Sequence, residues 1–333
     1  MVQRSRKEMV SAVVAFRNEA RTLSDCLDSL AKQTHKPMEI ILVDDGSTDG
    51  STEIALAFTK RCSYAKYFRM EHKRDSHNLP RIFGVQRAKG SIIFITEGDG
   101  KYNAEFVSLC VPHLKEKDVG GVMCRINVWD PQTFVSKYRD VLLSKRWDNQ
   151  EFVRAGAQKG RYSPWIFYRK TYMTLGGYDE RVGYGADIDF ARRMLASGRQ
   201  IVYEPRAIMW HRWKEFPLEV IRNNWIVGRL DYSTNRKNLR IVVKNAYFLL
   251  PPIFFVIGFF SFFGWWLLGL HVAPLIVRSI LTFLKHPGHR YRAYTLTAPL
   301  IQCLHHGSLA VGFFSRPLTN VFLRVHKSGS LQI

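Results

Sequence analysis

No aspartate or glutamate follows Asp231 in this chain of 333 residues. The sequence contains 49 lysines and arginines against 28 acidic residues, which gives a formal net charge of +21. Residues 1–200 carry 33 basic and 24 acidic residues, a net of +9, whereas residues 201–333 carry 16 and 4, a net of +12. Charge distributed so unevenly points to nucleic acid or an anionic membrane surface as a partner.

The sequence also lacks a disulfide framework and a secretory signal. Its five cysteines are scattered and none forms a CxxC pair, which predicts free, buried thiols in a reducing compartment. The basic N-terminus leads only to the short apolar run Met9–Phe16, which is typical of a first strand and not of a signal peptide. We therefore expect the front half of the chain to stay in the cytoplasm.

Apolar runs alternate with helical patterns through the first hundred residues. Val10–Phe16, Ile40–Val43 and Ser91–Thr96 are typical of strands buried on both faces, and Thr22–Leu30 has leucines at helical spacing. This alternation predicts βαβ units and a mostly parallel sheet. Ligands of such sheets bind at the carboxyl ends of the strands, where two acidic loops fall.

The middle of the chain is less regular. The pattern predicts strands over Val119–Ile126, Pro164–Tyr168 and Gln200–Glu204, and helices over Thr133–Asp148 and Asp187–Ser197. We therefore expect the alternation of strands and helices to continue to about residue 204.

The tail contains apolar stretches of membrane length. Ala246–Val277 has 32 residues and one ionisable group, His271, and Tyr294–Phe314 is a second stretch of 21 residues. One spanning helix needs about 20 apolar residues, so the first stretch is too long for one untilted span and short for two. Because basic loops stay cytoplasmic, we expect a re-entrant or two-legged hairpin that keeps residues 278–292 inside.

Seven carboxylates mark the predicted strand ends and one helix start. A nucleotide's base and ribose offer N–H and O–H donors that a carboxylate accepts, whereas the diphosphate is approached by a carboxylate only through a divalent cation. Mg²⁺ takes one or two carboxylates together with phosphate oxygens, and a separate carboxylate can accept the proton of an attacking hydroxyl. The seven are Asp44, Asp45, Asp49, Glu97, Asp99, Asp187 and Asp189.

Several motifs carry a family resemblance. The front half contains Val13-Val14-Ala15-Phe16-Arg17-Asn18-Glu19, Gln33-Thr34 and Val43-Asp44-Asp45-Gly46-Ser47-Thr48-Asp49. Further on stand Arg81-x-x-Gly84-x-x-x-Ala88-x-Gly90, then Glu97-Gly98-Asp99, and then Gly176-Gly177-Tyr178-Asp179-Glu180 leading to Ala186-Asp187-Ile188-Asp189. Over residues 8–230 the sequence resembles the family 2 glycosyltransferases with a GT-A fold, in which Glu97-Gly98-Asp99 is similar to the DxD motif.

The resemblance implies an α/β architecture, with a Rossmann-like, mostly parallel GT-A sheet flanked by helices. Together with the apolar tail, it predicts a catalytic domain over residues 1–215. An amphipathic, basic linker over residues 216–245 and a membrane-associated α-helical region over residues 246–333 follow.

Site residues follow from the same resemblance. The donor-binding residues would be Ala15, Glu19, Asp44, Asp45, Arg81, Glu97, Gly98 and Asp99. Asp99 would hold a divalent metal, Mg²⁺ or Mn²⁺, on the diphosphate, with His211 as a second contact. Asp187 would be the general base of an inverting displacement, and Asp189 competes for this role because Ala186 replaces the usual glutamate. Glu97 departs from the DxD motif only by one methylene.

An aromatic segment follows the last predicted strand. Met209–Trp213 is similar to the QxxRW motif of processive polysaccharide synthases, but the glutamine is missing. We interpret Trp165, Trp210, Arg212 and Trp213 as an acceptor platform or a membrane-interface belt.

The sequence thus predicts an enzyme that moves a sugar from a nucleotide-sugar donor to a lipid-linked acceptor, such as a polyprenyl phosphate, on the cytoplasmic face of the cell membrane. Two alternatives stay open, a membrane-anchored scaffold with a degenerate transferase domain and a processive polysaccharide synthase. A nucleic-acid-binding protein is disfavoured because the sequence shows no zinc module, basic helix or RNP-like strand and its cations flank apolar stretches.

Overall fold

The computed structural model describes residues 8–72, 78–148, 154–155, 165–182, 185–213, 216–235, 239–285 and 288–297, and the short pieces 299, 301–302, 306–311 and 314–315. The chain packs as two compact units. The first comprises Met1–Asp130 and Leu143–Trp213, and the second comprises Pro131–Leu142 and Lys214–Ile333. The first unit contains the β-sheet.

Nine strands form this sheet. They are β1 (Val10–Phe16), β2 (Met38–Asp44), β3 (Ala65–Arg69), β4 (Ile92–Glu97), β5 (Gly100–Tyr102), β6 (Val119–Val128), β7 (Arg154–Ala155), β8 (Ile166–Tyr168) and β9 (Gln200–His211). Their spatial order is β3-β2-β1-β4-β8-β6-β9-β5, and β7 pairs with β9.

The sheet is parallel in its first part and mixed beyond it. β1 is parallel to β2 and β4, β2 is parallel to β3, and β6 is parallel to β9. β8 is antiparallel to β4 and β6, and β5 and β7 are antiparallel to β9. The α/β fold is therefore confirmed, with a mixed outer half. β5 follows β4 after only Gly98 and Asp99. Because a parallel crossover needs a dozen or more residues, β5 cannot lie parallel beside β4, and it pairs with β9 instead.

The central strands are buried on both faces, as their continuous apolar sequences predict. Along β1, Val14 packs into one core cluster and its neighbour Val13 into another. Along β2, Leu42 and Ile41 divide between the same two clusters. Helices therefore cover both faces of the sheet, and the carboxyl ends of these strands are the exposed edge that is left for a ligand.

Eleven α-helices complete the described residues. They are α1 (Leu23–Ala31), α2 (Ser51–Arg61), α3 (Leu79–Arg87), α4 (Phe106–Leu114), α5 (Phe134–Asp148), α6 (Arg169–Thr174), α7 (Ala186–Ala196), α8 (Pro217–Asn235), α9 (Leu239–Tyr247), α10 (Leu250–Gly258) and α11 (Phe262–Lys285). The predicted helices before residue 200 are confirmed to within a few residues. The last predicted strand is longer than expected, because Ile208–His211 continues the pairing with β6 and Met209–His211 pairs with β5.

Four cysteines are free and buried, as predicted, namely Cys26, Cys62, Cys110 and Cys124. The fifth, Cys303, lies outside the described residues.

The tail consists of separate helices. The predicted 246–277 stretch breaks at Phe259–Ser261 into α10 and α11, which pack against each other, and this agrees with the two-legged form. Within the part of the chain that the structure describes, α11 is the one helix with the length and hydropathy to cross a membrane, and 11% of its apolar window is buried. The second apolar stretch begins in a 3-10 helix over Arg292–Thr297.

Candidate active site

A cleft of about 110 Å³ opens at the carboxyl ends of β1, β2 and β4. Parallel α/β sheets bind ligands at this edge. The sequence predicted seven of its lining residues, namely Ala15, Glu19, Asp45, Arg81, Glu97, Gly98 and Asp99. It missed Phe16, Arg17 and Pro80, which are neighbours in sequence of predicted residues.

Two loops at the cleft are tied together by hydrogen bonds. Asn18 adopts a left-handed conformation (φ 54°), and its Oδ1 accepts a hydrogen bond of 2.8 Å from the N–H of Thr48. The carboxylate of Asp49 accepts hydrogen bonds from the N–H of Ala20 at 3.0 Å and from the Ser51 hydroxyl at 2.6 Å. Asp49 is therefore explained by structure, because it holds the loop after β1 against the start of α2.

Asp44 lies beneath the cleft and is completely buried. Its carboxylate accepts hydrogen bonds from the N–H of Ser47 at 2.7 Å, the Thr52 hydroxyl at 2.6 Å and the Tyr67 hydroxyl at 2.9 Å. Burial alone would raise the pKa of Asp44, but these hydrogen bonds hold it below its ordinary value. Asp44 therefore supports the loop from below, and it is not among the residues that line the cleft.

Asp45, the next residue, faces the cleft. Its Oδ2 lies 2.7 Å from Nδ1 of His72, a contact that the sequence did not predict. Burial raises the pKa of Asp45, and the hydrogen bond from His72 and the charge of Arg17 offset this only in part. His72 follows β3 by three residues, so its position at a neighbouring strand end was the available signal.

Arg81 of α3 pairs with the first residue of the Glu97-Gly98-Asp99 motif. Its guanidinium donates to Oε1 of Glu97 and, at 3.0 Å, to Oδ1 of Asn78. Burial would lower the pKa of Arg81, but the negative charges of Glu97 and Asp187 raise it. This largely buried cation is thus close enough to both carboxylates for their charge to raise its pKa.

The motif carries a candidate metal site. β5 and β9 pair so that Gly100 lies opposite His211, and the N–H of Arg212 donates to the Asp99 carbonyl at 2.9 Å. Nε2 of His211 lies 3.6 Å from Oδ1 of Asp99, and ligand atoms of Glu97, Asp99 and His211 all lie within 4.8 Å of one another. Two carboxylates and an imidazole at this spacing fit a divalent cation.

Gly98, between the two motif carboxylates, packs against the first strand and helix. A Cβ at this position would lie 2.8 Å from Cβ of Phe16, 3.3 Å from Cβ of Glu19 and 3.3 Å from Cδ1 of Leu23. Because a Cβ is fixed to the backbone, the first contact cannot be relieved by a rotamer change. The glycine therefore allows the motif to approach the end of β1.

The two candidate bases lie in the first turn of α7 and differ in their surroundings. The carboxylate of Asp189 pairs with Arg193 one turn later, at 2.9 Å from Nε and 2.8 Å from Nη2. Arg193 in turn donates to the carbonyl oxygens of Leu175 and Gly177. Asp189 therefore holds the Gly176-Gly177 turn through Arg193. Asp187 is near enough to influence the pKa values of Arg81 and Tyr178 in the cleft region.

The predicted acceptor residues divide into two groups. The ring of Trp213 packs on that of His211, with centroids 4.3 Å apart, and Arg212 reaches to 3.7 Å from Asp130. Trp210 lies on β9 opposite Lys101 of β5. Trp165 instead packs against both core clusters of the sheet, so its partly buried ring belongs to the core.

Comparison with known proteins agrees with this geometry. Residues 11–174 match the family model described as glycosyl transferase family 2. The chain therefore contains a family 2 glycosyltransferase domain. The glycosyltransferase GlyG of Streptococcus pneumoniae is 34% identical over 116 residues, which cover 35% of this chain and 38% of that protein. A PGL/p-HBAD biosynthesis glycosyltransferase of Mycobacterium bovis is 27% identical, over 71% of this chain and 88% of that protein.

A solved structure has a similar fold. The mannosyltransferase PcManGT from Pyrobaculum calidifontis, solved with GDP-Man and Mn²⁺, has a TM-score of 0.56 at 16% identity. The match covers 94% of this chain and 88% of that structure. The GT-A-type fold implied by the resemblance is thereby confirmed.

Proposed function

We propose that the protein is a metal-dependent, inverting glycosyltransferase that uses a nucleotide-sugar donor and a lipid-linked acceptor. The observation that carries the proposal is the cluster of Glu97, Asp99 and His211 at the edge of a cleft that Asp45 also lines. The solved structure of PcManGT with GDP-Man and Mn²⁺ supports the same donor chemistry.

The residues divide the work of binding. Asp45 accepts N–H or O–H donors of the nucleoside, with its carboxylate oriented by His72. Asp99 and His211, with Glu97, would hold Mn²⁺ or Mg²⁺, and such a cation supplies positive charge against the diphosphate. Arg81 pairs with Glu97 and adds fixed positive charge on the same side of the cleft.

Asp187 acts as the base. The acceptor hydroxyl oxygen forms a bond to C1 of the donor sugar, the bond from C1 to the phosphate oxygen breaks, and the hydroxyl proton passes to the Asp187 carboxylate. The nucleoside diphosphate leaves with the bonding electron pair, and the configuration at C1 inverts. Asp187 suits this role better than Asp189, whose carboxylate is committed to Arg193.

The acceptor is assigned from the tail. The C-terminal region exposes apolar side chains, and after Asp231 all of its lysine, arginine, aspartate and glutamate positions are basic. Such a region favours attachment to an anionic membrane, and an enzyme held there meets lipid-linked acceptors such as polyprenyl phosphates. The aromatic residues Trp210 and Trp213, beside the metal cluster, are the proposed acceptor contacts. The basic residues that flank the apolar stretches favour attachment to the cytoplasmic face.

The test is a donor screen with the purified full-length chain in detergent. UDP- and GDP-sugars are supplied with Mn²⁺ or Mg²⁺, with and without a polyprenyl phosphate, and nucleotide release is measured. We expect release from one donor that is stopped by chelation and lost in Asp99→Ala. Asp28→Asn is the matched control, because this carboxylate pairs with Arg61 on the outer surface of α1 and should leave release unchanged.

Three results would contradict the proposal. Nucleotide release that is independent of metal and equal in Asp99→Ala would show that the cluster is not a functional metal site. Absence of release with every donor, together with a nucleotide-induced rise in melting temperature, would favour the scaffold with a degenerate domain, for which Ala186 is the sequence support. Product of many sugar units on one acceptor would favour the processive synthase.

A further inference from the structure

The turn between α10 and α11 exposes an aromatic surface. Phe260 is 88% exposed and Phe262 is 82% exposed, and the neighbouring Phe259, Phe263 and Trp266 are also exposed by more than half. Soluble proteins rarely expose contiguous apolar patches of large side chains without a partner. This aromatic tip, residues 259–266, is therefore an interaction surface.

The two helices form a short hairpin with contacts at both ends. At the turn, Gly264 approaches Gly258 so closely that a Cβ on Gly264 would lie 2.3 Å from the Gly258 nitrogen. At the open end, the ring of Tyr247 stacks on that of His271, with centroids 4.0 Å apart. At 1.5 Å per residue, the nine residues of α10 and the nine steps from Phe262 to His271 both give about 13.5 Å.

This depth is that of one leaflet. The hydrocarbon core of a bilayer is about 30 Å thick, so a hairpin about 13.5 Å deep reaches its middle and cannot cross it. Extending the first leg backwards through α9 would draw Arg240 and Lys244, both exposed, into the hydrocarbon.

The far end of α11 returns to the second unit's own core. The Ser279 hydroxyl donates to the Thr295 carbonyl, and both residues are buried. The neighbouring Tyr294 packs with Tyr138 and with Val220 of α8. α8 begins only a few residues after the first unit ends at Trp213. Because Tyr294 packs in the same cluster as α8, the chain around Thr295 must lie on the same side of a membrane as α8.

The cations lie at the base of the hairpin and not at its tip. Arg240 and Lys244 are exposed on α9, beside the exposed apolar side chains of Leu239, Val243 and Tyr247, which recur every four residues. A helix with such a stripe lies in the plane of a membrane interface. The uncharged tip and the positively charged open end of the hairpin are together complementary to an anionic bilayer surface.

We propose that the α10–α11 hairpin inserts into a single leaflet of an anionic membrane and leaves it on the side where it entered. α9 lies in the interface, the aromatic tip reaches the hydrocarbon, and α11 does not span the bilayer despite its 24 residues. This inference rests on the proposed membrane attachment but not on glycosyl transfer.

Thiol labelling of sealed vesicles tests the topology. The background is the full chain with Cys303→Ala, in which the other four cysteines are buried. A membrane-impermeant maleimide is applied to right-side-out and inverted vesicles that carry Lys60→Cys, Ser261→Cys or Gly288→Cys. We expect Lys60→Cys and Gly288→Cys to label from the same side, and Ser261→Cys to label only after detergent is added.

Three labelling outcomes would overturn the proposal. Labelling of Gly288→Cys from the side opposite Lys60→Cys would show that α11 crosses the membrane. Labelling of Ser261→Cys from that opposite side would show that the tip emerges. Labelling of Ser261→Cys with intact vesicles from the Lys60→Cys side would show that the tip stays in water.

A binding measurement separates insertion from folding and from activity. We expect the double variant Phe260→Asp and Phe262→Asp to bind phosphatidylglycerol vesicles at least about tenfold more weakly than wild type, because carboxylates are costly in hydrocarbon. Leu56→Asp, at an exposed apolar residue of α2, is the matched control and should bind as wild type. Equal binding of the tip variant would contradict insertion, whereas inactive but tightly bound wild-type protein would contradict only the proposed enzyme.

Discussion

The guanidinium of Arg81 donates to the carboxylate of Glu97, where the fourth strand ends and the candidate metal motif begins. The negative charge of Asp187 also acts on Arg81 and contributes to its raised pKa. One largely buried cation therefore pairs with the metal motif and also experiences the charge of the candidate base. Because Arg81 presents a planar fork, it can hold the orientation of Glu97 as well as neutralise it.

Arg81→Gln should lower both turnover and metal affinity. Without the cation, Glu97 loses its orienting partner, and loss of such a supporting partner typically costs about 10–100-fold in metal affinity or activity. Mn²⁺ titrations of donor turnover measure both quantities. Arg81→Lys keeps the charge without the fork, so recovery of full activity in that variant would show that orientation is unimportant.

Asp187→Asn and Asp189→Asn should fail in different ways. Removing the base lowers turnover by about 10²–10⁴-fold while nucleotide-sugar binding is nearly unchanged. Removing the Asp189 carboxylate frees Arg193 from its helical pair and should mainly lower the melting temperature. Turnover and calorimetric binding of the donor distinguish the two effects. Retained turnover in Asp187→Asn would move the role of base to Asp189.

Local pattern was enough to predict the parallel half of the sheet, whereas most of the cleft residues were predicted from the resemblance to the family 2 glycosyltransferases. β1 and β2 are continuous apolar strands, and their burial on both faces fixes a parallel, helix-covered sheet whose carboxyl ends hold the motifs. The motif residues Asp45, Arg81 and Asp99 meet there because the topology brings these strand ends to one edge.

Other features depend on tertiary contacts that no local pattern contains. Asp44 and Asp45 are adjacent and identical in type, yet Asp44 is buried and accepts several hydrogen bonds, whereas Asp45 faces the cleft. β5 has only three residues, and its pairing with β9 is what brings His211 to Asp99. The orienting contact of His72 with Asp45 joins positions 27 residues apart.

The buried carboxylate of Asp44 should make folding stability depend on acid. Its folded pKa lies below that of the unfolded chain, so its stabilising contribution is complete above pH about 4 and is lost as the pH falls through the folded pKa. Asp44→Asn should therefore melt at a lower temperature than wild type at pH 7 and differ less from it at pH 3. Thermal melts at the two pH values measure this, and an equal deficit at both would show that the charge of Asp44 is not stabilising.

His72→Ala should shift the pH dependence of nucleotide binding. Asp45 must be ionised to accept hydrogen bonds from the nucleoside, and burial already raises its pKa. The contact with His72 lowers that pKa, so its removal raises the pKa further, and protonation then abolishes binding at a higher pH than in wild type. Calorimetric titration of UDP and GDP between pH 4 and 8 measures the acid limb of binding, which is the fall in nucleotide affinity as the pH decreases.

The pH dependence of the binding defect separates an electrostatic role of His72 from a purely steric one. Loss of the imidazole alone would weaken binding by the same factor at every pH, whereas a pKa effect weakens it most in acid and least at pH 8, where Asp45 is ionised in both proteins. His72→Gln restores a hydrogen-bond donor to Asp45 without the imidazole, so its loss of binding in acid should fall between those of wild type and His72→Ala. An acid limb that does not move in either variant would show that His72 does not control the ionisation of Asp45.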